Sequence, residues 1–237
     1  MGERMAVSET YEDPAAFWEQ RYAGAEPIWS GHVNQTLAEV VGDLAPGSSL
    51  DLGCGEGGDS LWLAERGWRA IGIDLSATAI ARARARAEKL GLSAEFVAAD
   101  LGLWVEAGEG VDGSAAPFDL ITASFLQSPV ALPRERILRA ALSRLAPGGR
   151  LVLVSHAAPP PWAQHDHAAH GAHDPTRGPH FIAPEDELAA LGGLESEFAV
   201  LVAELRQREV ADPQGSLAQI DDSVVVVQRH QALPEVR

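Results

Sequence analysis

The chain has 237 residues, of which 46% are apolar and one is cysteine. This length suits one large domain, the single cysteine excludes an internal disulfide, and no apolar run reaches the ~20 residues that a membrane span needs. The formal net charge of −16 at pH 7 disfavours binding to nucleic acid or to an anionic membrane, since both partners require a basic face.

Strands and helices alternate along most of the chain, which is typical of a mostly parallel sheet. In chain order, the pattern predicts a helix over 34–44, strands over 48–52, 69–73, 95–98, 118–123 and 150–154, and helices over 60–66, 76–90 and 134–145. The stretch 76–90 alternates Ala and Arg as a strand might. Both residues are strong helix formers, however, and Ser76 and Gly91 are suitable caps, so we predict a helix there.

Two apolar runs near the C-terminus, 198–205 and 223–228, have little helical sequence between them and predict an antiparallel hairpin at the sheet edge. The predicted fold class is therefore α/β: a doubly wound, Rossmann-like sheet of seven strands, mostly parallel, with an antiparallel strand at the C-terminal edge. We expect a single domain over 1–237. Residues 1–45 would form an N-terminal helical cover, and 157–184 a His- and Pro-rich insertion after the fifth strand.

The first predicted strand runs directly into a cluster of glycines and then into a helix. Glycines let a ligand lie against the backbone, and the start of the helix offers unpaired N–H groups. In an open α/β sheet this arrangement forms a nucleotide-sized site at the carboxyl end of the first strand. The spacing Gly53-x-Gly55-x-x-Gly58 also satisfies the dinucleotide fingerprint, so an NAD-dependent oxidoreductase is an alternative.

A carboxylate, Asp51, lies two positions before the first glycine. It would repel a pyrophosphate but would favour a cationic sulfonium. Five blocks in fixed order resemble the class I S-adenosylmethionine-dependent methyltransferases: LDLGCGEG at 50–57, IGID at 71–74, AADL at 98–101, FDLI at 118–121 and LAPGGRL at 145–151. The resemblance implies an enzyme that uses S-adenosylmethionine as methyl donor.

The same resemblance assigns cofactor contacts to eight residues: Asp51, Gly53, Gly55, Gly57, Asp74, Leu75, Asp100 and Leu101. The glycine loop and Asp51 would line the methionine part, and Asp74 would accept hydrogen bonds from the ribose hydroxyls. Asp100 and Leu101 would meet the adenine, with Leu75 against its face. A local role, as a helix cap for Asp74 or a loop aspartate for Asp100, is the alternative.

The N-terminal stretches FWEQRY at 17–22 and IWSG at 28–31, followed by Asn34, resemble the lead-in of the thiopurine and tellurite-resistance type of small-molecule methyltransferases. This resemblance implies a segment that folds over the cofactor. Arg21 would pair with the cofactor carboxylate, and Tyr22 or Trp29 would wall in the methyl group. An amphipathic helix with its aromatic side chains in the core is the alternative.

Methyl transfer is a displacement at an already activated carbon, so the protein mainly aligns the acceptor and excludes water. A soft anion such as a thiolate needs little base catalysis, whereas an oxygen or nitrogen nucleophile needs a general base. His156, directly after the fifth strand, is the candidate catalytic base. A plain loop histidine is the alternative.

The expected acceptor is a small molecule, either a soft nucleophile such as a thiol or chalcogen or another small metabolite. The sequence ASFLQSP at 123–129 does not match the Asn/Asp-Pro-Pro-aromatic block of amino-directed DNA methyltransferases. We expect no nucleic-acid or membrane partner and either a monomer or a homodimer. Residues 1–14 are polar and acidic, unlike a signal peptide, which favours a cytoplasmic protein.

A tract of closely spaced histidines follows the fifth strand: His165, His167, His170 and His173. Such a density of imidazoles suits a divalent metal such as Zn, Ni or Cu. The tract lacks cysteines and the spacing of a known structural site, and a solvated lid is the alternative. A non-catalytic cofactor- or metal-binding protein is thus the third function that the sequence leaves open.

Overall fold

A seven-stranded sheet forms the centre of the molecule. In this computed structural model the described residues are 13–24, 28–107, 116–162, 181–194, 196–212 and 214–231. The strands are β1 (Ser48–Leu52), β2 (Arg69–Asp74), β3 (Ala94–Ala98), β4 (Phe118–Ser124), β5 (Leu145–His156), β6 (Phe198–Ala211) and β7 (Leu217–Arg229). The helices are α1 (Pro14–Tyr22), α2 (Gln35–Val41), α3 (Gly58–Glu65), α4 (Ala77–Leu90), α5 (Leu101–Ala107), α6 (Arg134–Ser143) and α7 (Pro184–Leu191).

The strand order is β3-β2-β1-β4-β5-β7-β6, which confirms the predicted fold class. The first five strands pair in parallel. The predicted hairpin is also confirmed, and its two strands extend further than the apolar runs. The antiparallel strand, β7, lies between β5 and β6 and not at the outermost edge, so its residues are placed opposite the carboxyl end of β5.

The sheet is covered on both faces, because successive residues of a strand point to opposite sides. In β5, Leu151 and Leu153 pack into one core cluster, together with residues of α5 and α6. Val152 and Val154 pack into the second cluster, with residues of α2 and α3. The carboxyl ends of the parallel strands remain clear of both layers, which is where the open-sheet architecture places a ligand.

Several element boundaries follow local chemistry that the sequence predicted. Ser76 caps α4, since its hydroxyl accepts from the Ala79 N–H at 3.1 Å, and Gly91 ends that helix at a φ of +66°. Asn34 caps α2 in the same way, through a 2.8 Å bond from the Leu37 N–H, a role that was not assigned from the sequence.

Other boundaries differ from the predictions. β5 begins at Leu145 and not at residue 150, because the Pro-Gly-Gly turn lies within the strand as an irregularity of its pairing with β4. Helices α5 and α7 were not predicted, since each has only seven or eight residues and carries little periodicity. Among the described residues, no helix has both the length and the apolar character to cross a membrane.

Candidate active site

A cavity of about 1000 Å³ opens at the carboxyl ends of the parallel strands. Of the residues that the sequence singled out, it is lined by Arg21, Trp29, Asp51, Gly53, Gly55, Asp74, Leu75, Asp100, Leu101 and His156. The topology brings these residues together because parallel strands all end at one edge of the sheet. One cavity therefore holds both the predicted cofactor contacts and the predicted base.

The glycine loop takes the backbone conformation that its composition favours. Gly55 has a φ of +51°, and a Cβ there would lie 3.0 Å from the Tyr22 hydroxyl and 3.4 Å from Trp29 Nε1. At Gly57, whose backbone the sequence predicts to line the cofactor, an added side chain would point into the core. This glycine has a φ of +80°, and a Cβ there would lie 2.8 Å from the Phe96 ring. Gly57 allows the turn into α3, whereas the absence of a side chain at Gly55 leaves space between the loop and Tyr22 and Trp29.

Two carboxylates lie beside this loop, the buried Asp51 and the half-buried Asp59. Asp51 accepts hydrogen bonds from Ser60 Oγ at 2.7 Å and from Thr122 Oγ1 at 3.0 Å. Asp59 accepts from the Asn34 N–H at 2.7 Å. Burial, with the nearby Asp59 charge as the second cause, raises the pKa of Asp51 to about 7, and burial also raises the pKa of Asp59. A cation placed in the cavity would relieve this repulsion.

Asp74 and Asp100 stand at the ends of β2 and β3. The Asp74 carboxylate accepts from the Gly55 N–H and the Ser76 N–H, each at 2.9 Å, and burial raises its pKa. Asp74 thus ties the glycine loop to the start of α4 while it lines the cavity. Asp100 is exposed and accepts from the Gly102 N–H at 2.7 Å, whereas Leu101 is 6% exposed and packs in the core.

Helix α1 is held over the cavity by contacts with α4. The Glu19 carboxylate accepts from Ser76 Oγ at 2.7 Å and from the Thr78 hydroxyl, and these hydrogen bonds lower the pKa of Glu19. A carboxylate at the start of a helix is also favoured by the helix dipole. Glu19 was not predicted as a site residue. The only feature of the sequence that could have indicated its role is that it is the acidic residue of the stretch FWEQRY at 17–22.

The residues after α1 are attached to the glycine loop. Glu56 accepts from the Trp29 N–H at 3.2 Å and pairs with Arg82 at 2.7 Å. Trp29 Nε1 donates to the Tyr22 hydroxyl at 2.9 Å, and the indole remains 52% exposed. Tyr22 is buried, which raises the pKa of its phenol, while Arg21 is exposed at the cavity wall. The N-terminal residues therefore form one wall of the cavity.

The far end of the cavity is formed by residues after β4 and β5. The Phe125 ring stacks on the His156 imidazole, with ring centroids 4.1 Å apart. Phe125 has a φ of +54°, a left-handed conformation that is strained for a bulky residue and is found mostly at functional sites. Gln127 Oε1 accepts from the His156 N–H at 2.9 Å, so both the ring and the backbone of His156 are held.

A buried ion pair supports this far end. Arg134 donates to both oxygens of Glu187, at 2.8 and 2.6 Å, and through Nε to the Leu126 carbonyl at 2.8 Å. Ser155 Oγ donates to the same carboxylate at 2.5 Å. The pair therefore joins α6, α7, β5 and the loop after β4. Neither Arg134 nor Glu187 was predicted as a site residue, because charged residues in helices are usually expected at the surface.

The predicted metal ligands His165, His167, His170 and His173 lie outside the described residues. Within the described residues, no group of three or more His, Cys, Asp or Glu side chains is arranged to hold a metal ion.

Comparison with known proteins agrees with this geometry. A family model described as a methyltransferase domain matches residues 50–149. Ribosomal RNA small subunit methyltransferase C of Chromohalobacter salexigens is 36% identical over 123 residues, which are 52% of this chain and 35% of that protein. A 2-heptyl-1-hydroxyquinolin-4(1H)-one methyltransferase of Mycobacteroides abscessus is 33% identical over 135 residues, which are 55% of this chain and 56% of that protein. The chain thus spans 35% and 56% of the length of these two relatives.

Solved structures extend the likeness over nearly the whole chain. One, from work on the conversion of a disulfide bond into a thioacetal group during echinomycin biosynthesis, superposes with a TM-score of 0.65 at 25% identity and covers 94% of both chains. TehB from Haemophilus influenzae superposes with a TM-score of 0.60 at 17% identity, covering 92% of this chain and 68% of TehB. The second likeness is one of fold alone.

Proposed function

We propose that this chain, which belongs to the class I S-adenosylmethionine-dependent methyltransferases through its domain at residues 50–149, transfers a methyl group to a small-molecule acceptor. The observation that carries the proposal is a pair of carboxylates beside a glycine loop at the end of β1, the buried Asp51 and the half-buried Asp59. Two such acids with raised pKa values favour a cationic ligand, and a pyrophosphate would add further negative charge. This chemistry favours a methyltransferase over the NAD-dependent oxidoreductase.

The residues present fit the proposed cofactor. A Cβ at Gly55 would occupy space between the loop and the aromatic wall of Tyr22 and Trp29. We propose that Asp51 and the loop receive the methionine part, Asp74 the ribose and Asp100 with Leu75 and Leu101 the adenine. Arg21, exposed at the wall, is the proposed partner of the cofactor carboxylate. When bound, S-adenosylmethionine supplies a methyl group activated by its sulfonium.

The acceptor is proposed to be a soft nucleophile such as a thiol or chalcogen, or another small metabolite. The net charge of −16 disfavours RNA, although some relatives are named for ribosomal RNA. The cavity is walled by aromatic and apolar side chains, among them Phe17, Trp18 and Phe125, which suits a small organic molecule. A sulfur acceptor is supported by the thioacetal chemistry named for the similar structure.

Residues 1–45 are proposed to act as the cover of this site, since α1 is bound to α4 through Glu19. The insertion at 157–184 and the choice between monomer and homodimer remain predictions. So does the cytoplasmic location.

Titration calorimetry with S-adenosylmethionine, S-adenosylhomocysteine and NAD tests the cofactor. We expect both sulfur ligands to bind and NAD not to bind. The sulfonium should lower the pKa of Asp51 from about 7, so binding of S-adenosylmethionine at pH 7 should release protons. Binding of S-adenosylhomocysteine, which has no sulfonium, should release fewer. Buffers of different ionisation enthalpy measure that release. NAD binding without either sulfur ligand would overturn the proposal.

Asp51→Asn is the variant for the same experiment. It should weaken the binding of S-adenosylmethionine more than that of S-adenosylhomocysteine, since only the former carries a sulfonium charge. Asp43→Asn is the matched control, because Asp43 is an exposed carboxylate after α2. A radiolabelled methyl-transfer screen over thiols, oxyanions of tellurium and selenium, amines and phenols then identifies the acceptor class. An equal loss for both sulfur ligands would contradict the charge argument.

A further inference from the structure

A buried aspartate stands directly opposite the candidate base. In the antiparallel pairing of β5 with β7, Asp222 is the register partner of His156. Asp222 is 0% exposed, and its Oδ1 lies 3.9 Å from His156 Nδ1. Directly opposed residues of an antiparallel pair present their side chains to the same face, so the two groups are neighbours by the construction of the sheet.

One oxygen of this carboxylate is bound and the other is not. Asp222 Oδ2 accepts from Arg208 Nε at 2.6 Å and from Thr36 Oγ1 at 3.2 Å. Oδ1 is buried and has no hydrogen-bond partner within the described part of the chain. A buried acceptor without a donor is costly, and the ring nitrogen of His156 is the donor that lies beside it. At 3.9 Å the two atoms are not hydrogen-bonded, but a proton on Nδ1 would face this unpaired oxygen.

The imidazole is also held against rotation. Its ring stacks on Phe125 with 19° between the planes, and the Arg208 guanidinium lies 5.3 Å from the Phe125 ring centroid. With Nδ1 directed at Asp222, Nε2 is the nitrogen left for a ligand, and His156 lines the cavity. A histidine whose tautomer is set by a buried carboxylate has its second nitrogen available as a proton acceptor.

We propose that Asp222 is a positioning residue that holds His156 as the Nδ1–H tautomer, with Nε2 poised to take a proton from the methyl acceptor. The inference rests on the proposed function and deepens it, because it names the acceptor class: a nucleophile that still carries its proton at neutral pH, such as an alkyl thiol or a phenol. As the acceptor heteroatom bonds to the methyl carbon, its proton passes to Nε2 and the carbon–sulfur bond breaks with its electron pair left on sulfur.

The charges around His156 agree with this role. Burial lowers the pKa of the imidazole, Asp222 on β7 raises it and Arg208 on β6 lowers it, and the net direction is downward. His156 is therefore neutral at pH 7 and able to accept a proton. The loop after β4 contributes only the uncharged Phe125 and Gln127 to its surroundings.

The first test reads the tautomer without any acceptor. Long-range ¹H–¹⁵N spectra of the full chain at pH 8 should show His156 protonated at Nδ1 and not at Nε2. In Asp222→Asn, Arg208 and Thr36 hold the amide oxygen, so the amide NH₂ faces Nδ1 and the tautomer should invert. Asp221→Asn, on the next residue of β7, is the control and should leave the spectrum unchanged. An Nε2–H tautomer in the wild-type protein overturns the proposal even if Asp222→Asn does not fold.

The second test varies the acidity of the acceptor. His156→Gln should lower kcat/KM by about 10²-fold or more for protonated acceptors such as alkyl thiols, the usual size of a general-base effect. For thiophenols that are already ionised at the assay pH, kcat/KM should fall little. Asp222→Asn should likewise lower kcat/KM more for protonated acceptors than for ionised ones. An equal loss with every acceptor would indicate a structural role and overturn the proposal.

The two tests separate this inference from the proposed function. Methyl transfer by the wild-type enzyme, with equal losses in His156→Gln, overturns the base role alone. Failure to bind S-adenosylhomocysteine overturns the proposed function, and the base role falls with it.

Discussion

The two ends of the cavity are assembled in different ways. At the proposed cofactor end, Asp51, Gly55 and Asp59 lie within nine residues of one another, on the segment that joins β1 to α3. At the proposed acceptor end, Phe125, His156 and Asp222 come from three separate parts of the chain. A site built from one short segment leaves a motif in the sequence. A site built by pairing distant strands leaves almost none.

The largest expected effect lies at the acceptor end, in the buried Arg134–Glu187 pair. Arg134→Met leaves a 0% exposed carboxylate without its partner, which typically costs about 3–5 kcal/mol. Urea unfolding monitored by circular dichroism measures the change in the free energy of unfolding. The double variant Arg134→Met/Glu187→Leu should recover part of the loss, since it leaves no unpaired charge. Equal stability of the single and double variants would contradict the unpaired charge as the cause of the loss.

At the cofactor end, Gly57→Val should lower the free energy of unfolding by about 2–4 kcal/mol, the combined cost of a left-handed backbone and overpacking. The new Cβ would lie 2.8 Å from the Phe96 ring and 3.0 Å from Ala83. Gly91→Val is the matched control, because Gly91 has a φ of +66° but no atom within 4 Å of the added Cβ. If the control loses as much free energy of unfolding, the effect of Gly57→Val comes from the backbone conformation alone and not from contact with Phe96 and Ala83.

Next in size is the loss of cofactor affinity in Asp74→Ala. The Gly55 and Ser76 N–H groups lose their acceptor, and the proposed ribose contact disappears. Hydrogen bonds to charged groups contribute about 1.5–3 kcal/mol each, so S-adenosylhomocysteine should bind about 10- to 100-fold more weakly by calorimetry. The exposed Asp43→Ala serves as control. Unchanged affinity in Asp74→Ala would show that the ribose assignment is wrong.

A pH dependence of stability is also expected at the cofactor end. The pKa of Asp51 is about 7 in the folded protein, above the ~3.9 of an unfolded aspartate, so the folded state binds more protons between these values. Its contribution to stability is present below pH 4 and is lost as the pH rises to about 7. Thermal unfolding of Asp51→Asn should therefore show a flatter pH profile over this range. S-adenosylmethionine should stabilise the wild-type protein more at pH 8 than at pH 5. If the stability of Asp51→Asn depends on pH as that of the wild type does, the raised pKa of Asp51 is contradicted.

Much of the fold was predictable from local chemistry. The caps Ser76 and Gly91 and the apolar strands of the parallel sheet carry their signals within a few residues, and the structure agrees with them. The start of β5 was predicted wrongly, because Pro147-Gly148-Gly149 is typical of a turn but lies within a bulged strand. Short helices such as α7 escaped prediction because two turns carry too little periodicity.

The strand–helix order, the glycine loop and the carboxylates at strand ends could be predicted from the chain alone, because each depends on neighbouring residues. The tertiary structure was needed to show that the Asp59 charge raises the pKa of Asp51 and that Glu19 holds α1 against α4. It also decided that Asp222 faces His156. The register of a β-strand pair depends on the packing of whole strands, and a one-residue slip would have turned Asp222 to the other face.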